Sequence, residues 1–117
     1  MLLQKLHNIW LALRALKKTW QEEQSFRIQV GVALLVLSVA WYCRVTRIEW
    51  ALLLFSLSAV LTVELINTAI ERIADAFGRT DQRIGLIKDL GAAAAGIIGL
   101  GTIAVLCAIF VPRFFSM

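Results

Sequence analysis

The N-terminal residues repeat a pattern in which apolar side chains recur three or four positions apart. This spacing predicts an amphipathic helix over residues 2–23 with one apolar and one basic face. The apolar positions are Leu2, Leu3, Leu6, Ile9, Trp10, Leu13, Leu16 and Trp20, and the basic ones are Lys5, Arg14, Lys17 and Lys18. Such helices are typical of the membrane interface, whereas the alternative is a helix that faces a soluble core. The rest of the chain offers little soluble core, which favours the interface.

Three long apolar segments follow, over residues 28–43, 50–70 and 90–111. A helix needs about 20 residues, at about 1.5 Å each, to cross a bilayer. The first segment is shorter, so it needs its flanking residues or local thinning of the bilayer. Pro112 is expected to end the last helix. The pattern predicts one domain over residues 1–117, an all-α integral membrane protein with an interfacial helix and three transmembrane helices.

The composition agrees with a membrane protein, and the motifs that are missing exclude several kinds of binding site. Of 117 residues, 60% are hydrophobic and only 17% are charged, unlike a soluble domain. The net charge is +4, but no motif of a nucleic-acid-binding domain is present, so nucleic acid is not a predicted partner. The two cysteines lack the CxxC spacing of a zinc site, and the glycines form neither a P-loop nor a dinucleotide-binding motif.

The positions of lysine and arginine predict an orientation in the membrane. The segment before the first span and the loop between the second and third spans are rich in basic residues, whereas the first loop carries only Arg44 and Arg47 and the tail only Arg113. The basic residues of the second loop are Arg72, Arg79, Arg83 and Lys88. Because basic segments stay in the cytoplasm, we expect the N-terminus and the second loop there and the C-terminus outside.

Small residues recur four apart in the third span, as in the pairs Gly91 with Ala95 and Ala95 with Gly99. Such faces let helices approach closely in lipid, and packing is the commonest reason for them. Three spans and one surface helix are too few to enclose a polar site. We therefore expect an oligomer whose sites lie between subunits.

A line of polar residues interrupts the second apolar segment, in the stretch VELINTAIERIAD. Glu64 and Glu71 lie two helical turns apart, about 10 Å along one face, with Asn67 between them and Asp75 one turn further. An ionisable side chain at the depth of Glu64 is costly and indicates function. The structural alternative is a buried acid paired with Arg27 or Lys88, or a hydrogen bond between helices from Asn67.

Other acidic residues are expected at the same cytoplasmic boundary. Glu22 and Glu23 precede the first span, and Lys88 and Asp89 precede the third. Carboxylate clusters suit a hard cation such as Mg²⁺, and magnesium at this boundary suggests a nucleotide whose phosphate charge Lys88 could neutralise. Glu64 lies deeper and suits a general base that meets a hydroxyl arriving from the lipid.

Three ordered motifs carry a resemblance to a known family. They are EEQSFR over 22–27, ELINTAIE over 64–71 and KDLGAAA over 88–94. Together they resemble the small prokaryotic diacylglycerol kinases, which include the undecaprenol kinases, over nearly the whole chain. The segments RIEWALLL and IFVPRF are more similar to the undecaprenol kinase branch. Gln29 departs from the family pattern of Glu or His, and the second loop lacks the usual histidine segment.

The resemblance implies a homotrimer in the bacterial cytoplasmic membrane that uses MgATP to phosphorylate a lipid hydroxyl. By position, Glu64 resembles the catalytic base, and Glu23 and Glu71 resemble ligands of the metal and of ATP. Asn67, Lys88 and Asp89 resemble residues on the nucleotide side, and Phe26 and Arg27 resemble residues near the lipid.

The predicted function is therefore an ATP-dependent lipid kinase, acting on undecaprenol or diacylglycerol in lipid recycling for envelope or phospholipid synthesis. Two alternatives come from other classes: a transporter or channel subunit with Glu64 as its ion or proton site, and a purely structural membrane oligomer. The acidic residues favour the kinase because they gather at one boundary, whereas a transport path would need polar residues across the bilayer.

Overall fold

Four helices make up the part of the chain that the structure, a computed structural model, describes, residues 1–78 and 81–116. They are α1 (Leu2–Glu22), α2 (Gln24–Cys43), α3 (Arg47–Ala76) and α4 (Gln82–Phe115). The last three are long and apolar enough to cross a membrane. Arg79, one of the basic residues of the second loop, lies outside the described residues. The all-helical prediction with three candidate spans is confirmed.

Each helix begins or ends at a residue with an identifiable role. Glu23 alone separates α1 from α2, with an extended backbone that breaks the helical path. Arg44 ends α2 in the left-handed conformation, at φ 55°. Thr46 and Glu49 form a reciprocal capping box that starts α3, because each side chain bonds to the other residue's backbone N–H. The carboxylate of Asp81 accepts a hydrogen bond from the backbone N–H of Arg83 at the start of α4.

The prediction that Pro112 ends the last helix is wrong, because α4 continues through it to Phe115. Proline lacks a backbone N–H and so removes one helical hydrogen bond. The guanidinium of Arg113 supports this last turn by donating to the carbonyl oxygen of Ile109 at 2.8 Å. The backbone N–H of Ser116 then bonds to the carbonyl oxygen of Pro112 at 3.1 Å.

The main apolar core lies where α2, α3 and α4 meet near the start of α3. Its buried members are Ala40, Val45, Leu53 and Ile109. Beside it, the guanidinium of Arg113 donates through two nitrogens to the two carboxylate oxygens of Glu49. We call this region, the four core residues with the Glu49–Arg113 pair, the packed end. It joins the first and last membrane-facing helices to the middle one.

Most of the surface of the candidate spans is not covered within the chain. Fewer than one fifth of the residues in each span's most apolar window are buried. In α1 no residue is buried, so a helix that faces a core within this chain is excluded. Among the small residues of α4, Gly91 is the one that contacts α3 too closely for a side chain, whereas Gly96 and Gly99 have open space beside them.

Candidate active site

The polar line of α3 runs from a buried carboxylate to exposed ones. Glu64 is only 9% exposed, Asn67 is half-buried and Glu71 is exposed. The amide nitrogen of Asn67 donates to Glu71 across 3.4 Å, one turn further along the helix. We call the segment Glu64–Asp75, with the side chains that contact it, the polar end. Along this segment the carboxylate of Glu64 is nearly buried, whereas that of Glu71 is exposed to solvent.

Two polar side chains of α2 hold the carboxylate of Glu64. The hydroxyl of Ser25 donates to Oε1 at 2.6 Å, and the amide of Gln29 donates to Oε2 at 3.3 Å. Each carboxylate oxygen therefore has a neutral donor, which orients the group and leaves its charge without a neighbouring cation. Ser25 lies within the motif EEQSFR, but the sequence analysis gave it no role. Its spacing of four residues from Gln29 on one helical face was the available signal.

The structural alternatives for Glu64 are not observed. Arg27 donates to the carbonyl oxygens of Trp20 and Gln21, at 2.8 and 3.1 Å, in the last turn of α1. Lys88 instead pairs with Asp75 at 2.8 Å. A buried carboxylate that is hydrogen-bonded but not ion-paired is costly to keep, so packing alone does not explain Glu64.

Two buried oxygen atoms beside this carboxylate have no hydrogen-bond donor within the described residues. They are Oε1 of Gln29 and Oδ1 of Asn67. A Cβ built on Gly91 would overlap this same Asn67 oxygen, so any larger residue at 91 would require the Asn67 side chain or α4 to shift. Leaving a buried acceptor unpaired costs about 1–3 kcal/mol. Such atoms are therefore expected where a ligand's donors complete the site.

Charged pairs surround the polar end at the exposed side. Arg72 reaches both Glu22 and Glu23, at 3.0 Å each, and so links α3 to the junction of α1 and α2. Lys88 brings the start of α4 to Asp75 of α3. Asp89 is exposed next to Lys88. Of the predicted nucleotide-side residues, Glu23 and Lys88 are thus brought to α3 through Arg72 and Asp75, whereas no contact brings Asp89 to the polar end among the described residues.

The predicted metal ligands, Glu23 and Glu71, offer carboxylate oxygens at this exposed side. Among the described residues of the single chain, no group of three or more acidic, histidine or cysteine side chains forms a metal cage. Magnesium is commonly held by one or two carboxylates with the phosphates of the substrate. Glu71 is exposed, whereas Glu23 is half-buried and paired with Arg72. Neither forms a metal site that the described part of this chain completes alone, so Mg²⁺ would have to be bound together with a nucleotide.

A cavity of about 460 Å³ lies between α1 and α3, directly beside the polar end. Its walls are mainly apolar, and its polar members are Thr19, Thr68 and Arg72. Thr68 follows Glu64 by one turn and donates to its backbone carbonyl at 2.9 Å. Volume and lining suit the head and first carbons of an apolar ligand. The predicted lipid-side residues are not among its lining residues: Phe26 is buried in α2, and Arg27 holds the end of α1.

Comparison with known proteins gives a consistent result. The family described as prokaryotic diacylglycerol kinase matches residues 10–110. The diacylglycerol kinase of Escherichia coli K12 is 36% identical over 107 residues, which cover 90% of this chain and 84% of that protein. The undecaprenol kinase of Bacillus subtilis strain 168 is 31% identical over 85 residues, or 73% of this chain and 68% of that protein. The matched range includes all three sequence motifs and every candidate site residue.

Proposed function

The chain belongs to the prokaryotic diacylglycerol kinase family of lipid kinases, and we propose that it transfers the γ-phosphoryl group of ATP, with Mg²⁺, to the hydroxyl of a membrane lipid alcohol. The observation that carries this proposal is the buried carboxylate of Glu64, which two neutral donors of α2 hold. The next turn of α3 contributes Leu65, Thr68 and Ala69 to an apolar cavity. The candidate lipids are diacylglycerol and undecaprenol, both of which present a primary hydroxyl on an apolar body.

Glu64 is the proposed general base. The lipid oxygen forms a bond to the γ-phosphorus as the bond from that phosphorus to the β–γ bridging oxygen breaks, and ADP leaves. The hydroxyl proton passes to the carboxylate of Glu64. Ser25 and Gln29 hold this carboxylate in one orientation, so that less reorganisation is needed when the hydroxyl arrives. The unpaired oxygen of Gln29 offers a further acceptor to donors of the lipid head.

The nucleotide side is proposed to consist of Glu23, Asn67, Glu71, Lys88 and Asp89. Glu23 and Glu71 would hold Mg²⁺, which when bound neutralises charge on the phosphates. Lys88 carries a cation that could turn from Asp75 to a phosphate, because its side chain is partly exposed. Asn67 stands between the buried and exposed carboxylates and is proposed to position the nucleotide relative to Glu64.

The lipid side is proposed to be the cavity between α1 and α3, with α1 lying in the cytoplasmic interface of the bacterial inner membrane. The basic face of α1 would contact anionic headgroups, and the tryptophans of α1 would lie at headgroup depth. Phe26 and Arg27 contribute from α2, Arg27 by holding the end of α1. This orientation puts the N-terminus and the second loop in the cytoplasm, where ATP is available.

We propose a homotrimer as the working assembly. Support comes from the exposed apolar surface of all three candidate spans and from the incomplete metal site of the single chain. In such an assembly a neighbouring copy could complete the site around each polar end. The proposed role is the return of lipid alcohols to envelope or phospholipid synthesis.

The experiment is a phosphorylation assay of the purified protein in mixed micelles with Mg²⁺ and labelled ATP. Diacylglycerol and undecaprenol are offered in separate reactions, and a third reaction contains no lipid alcohol. We expect label in the lipid phosphate with at least one alcohol and none in the third reaction. Label in neither lipid, with protein that is folded by circular dichroism, would contradict the proposal. The ratio of kcat/KM for the two alcohols would identify the preferred lipid class.

A further inference from the structure

Helix α1 is only weakly attached to the rest of the chain. One extended residue, Glu23, joins it to α2, and none of its own residues is buried. A surface helix so weakly packed could leave α3 by rotation about this single junction. The cavity between α1 and α3 exists only while α1 stays in place, so the contacts that fix the junction decide whether the cavity is formed.

Two arginines fix this junction from different helices. Arg27 of α2 donates to two carbonyl oxygens of the last turn of α1, which otherwise lack helical partners. Arg72 of α3 donates to Glu22, the last residue of α1, and to Glu23 at the junction itself. The contact from Arg72 is the one that joins the junction to α3. It is also the contact nearest to the cavity, because Arg72 is one of the residues that line it.

From this arrangement we infer that Arg72 is a positioning residue for the lipid alcohol: by pairing with Glu22 and Glu23 it holds α1 against α3 and so keeps the lipid cavity formed. This inference rests on the proposed function and adds a residue that none of the three sequence motifs includes. Arg72 directly follows the motif ELINTAIE, and Glu22 lies one residue before the proposed metal ligand Glu23.

The magnitude of the effect follows from the exposure of the pairs. The side chain of Arg72 is 46% exposed and that of Glu22 is 45% exposed, so each pair is individually weak. Two pairs on one guanidinium act together, and we expect their loss to raise the KM for the lipid roughly threefold to tenfold. The KM for ATP should change less, because α1 forms no wall on the proposed nucleotide side. Added salt should raise the lipid KM of the wild type more than that of a variant lacking the pairs.

The test uses four variants of the full-length protein in lipid nanodiscs. Arg72→Gln removes both pairs, and Glu22→Gln removes one pair without touching the proposed metal ligands. The double variant Glu22→Arg with Arg72→Glu restores the pair between positions 22 and 72 with the charges exchanged, but leaves Glu23 facing a second acid. The control, Arg83→Gln, removes an arginine of similar charge whose recorded ion pair is with its near neighbour Asp81. Each variant is assayed for the KM of lipid alcohol and of ATP, and for deuterium exchange of the α1 amides.

The inference predicts a raised lipid KM and faster α1 exchange in Arg72→Gln and a smaller change in Glu22→Gln. It predicts partial recovery in the double variant and none of these changes in the control. Wild-type exchange and wild-type lipid KM in Arg72→Gln would overturn it. So would an ATP KM raised as much as the lipid KM, since Arg72 would then act through Glu23 on the nucleotide side. If the wild type phosphorylated no lipid, the proposed function would fail, and the exchange comparison alone would decide whether Arg72 holds α1.

Discussion

Helix α3 carries a glutamate at the packed end and another at the polar end, and the two carboxylates have different partners. At the packed end, the carboxylate of Glu49 accepts hydrogen bonds from two guanidinium nitrogens of Arg113, and it also forms the capping box with Thr46. At the polar end, the carboxylate of Glu64 is buried with neutral donors only. One carboxylate has its charge balanced by a cation, whereas the other has, among the described residues, only neutral hydrogen-bond donors. We therefore propose that the packed end supplies stability and the polar end supplies chemistry.

Among the described residues, the buried side-chain atoms that lack a hydrogen-bond partner also lie at or beside the polar end. The buried oxygen atoms without donors, in Gln29 and Asn67, both belong to the polar end or to its α2 neighbour. The packed end instead buries a continuous apolar cluster around Leu53, which is fully buried. Burial of such a side chain stabilises by about 1.5–3 kcal/mol, whereas an unpaired acceptor costs about as much. The polar end is thus less stable than it could be, as expected of a site that a substrate completes.

The largest effect on phosphoryl transfer is expected from Glu64→Gln. Glutamine preserves the volume and can keep a hydrogen bond to Ser25, but it cannot accept the hydroxyl proton. We expect kcat to fall roughly 10²–10⁴-fold, the contribution of a general base. Steady-state assays with saturating lipid and ATP measure this loss. A variant that retains turnover within about twofold of the wild type would remove Glu64 from the role of base.

A smaller loss is expected when α4 is pushed from α3 at the polar end. In Gly91→Ala the new methyl group would overlap the side-chain oxygen of Asn67, which must move. We expect kcat to fall roughly tenfold to 100-fold, since a displacement of about 1 Å at a reacting site can cost this much. Gly85→Ala is the matched control, because the same helix has open space there. Equal activity of the two variants would show that Asn67 does not depend on glycine 91.

Removal of one donor to Glu64 should have a milder effect. Ser25→Ala leaves the amide of Gln29 as the remaining α2 donor to this carboxylate, and a hydrogen bond to a charged group contributes about 1.5–3 kcal/mol before water compensates. We expect kcat to fall roughly threefold to tenfold, which is about 0.6–1.4 kcal/mol and so less than that range, because water can replace part of the lost donor. The control is Ser38→Ala, whose hydroxyl bonds to the carbonyl of Leu34 within its own helix. A fall of the same size in both variants would argue against a specific role for Ser25.

The smallest effect on turnover, but the largest on stability, is expected at the packed end. Arg113→Gln breaks the two-nitrogen contact with Glu49, whose side chain is 20% exposed. We expect the melting temperature to fall, by an amount that solvent screening of the pair limits. The activity per folded molecule should stay within about twofold. Thermal unfolding followed by circular dichroism measures the loss, with Arg47→Gln as the control at the same end. If Arg113→Gln melted like the wild type, the Glu49–Arg113 pair would not stabilise the packed end.

The sequence predicted the helices better than their ends. Hydropathy marks only the part of a helix that matches the lipid, so the predicted span 50–70 missed the polar turns by which α3 continues to Ala76. In the same way α4 begins at Gln82, well before the predicted residue 90. Backbone hydrogen bonds carry a helix beyond its apolar stretch, and no hydropathy pattern records where they stop. The continuation of α4 through Pro112 was not predicted, because a proline is the usual signal for the end of a helix.

The candidate site was predicted in its residues but not in its contacts. Helical spacing alone places Glu64, Asn67 and Glu71 on one side of α3. It does not give the register between α2 and α3, so the donors Ser25 and Gln29 could not be assigned to Glu64. For the same reason the partner of Lys88 proved to be Asp75. The pairing of Arg72 with Glu22 and Glu23 depends on the direction that α1 takes after one extended residue, which no local pattern specifies.

One comparison tests the central claim most directly, because the two ends of α3 offer the same substitution. Glu49→Gln and Glu64→Gln change the same side chain at positions about 22 Å apart along one helix. Both variants are purified with the wild type, and each preparation is assayed for labelled lipid phosphate and for its melting temperature. We predict that Glu64→Gln melts like the wild type but loses lipid phosphorylation, and that Glu49→Gln melts earlier but phosphorylates lipid at nearly the wild-type rate while folded. If both variants lost activity in proportion to their loss of stability, the division between a stabilising end and a catalytic end would be contradicted.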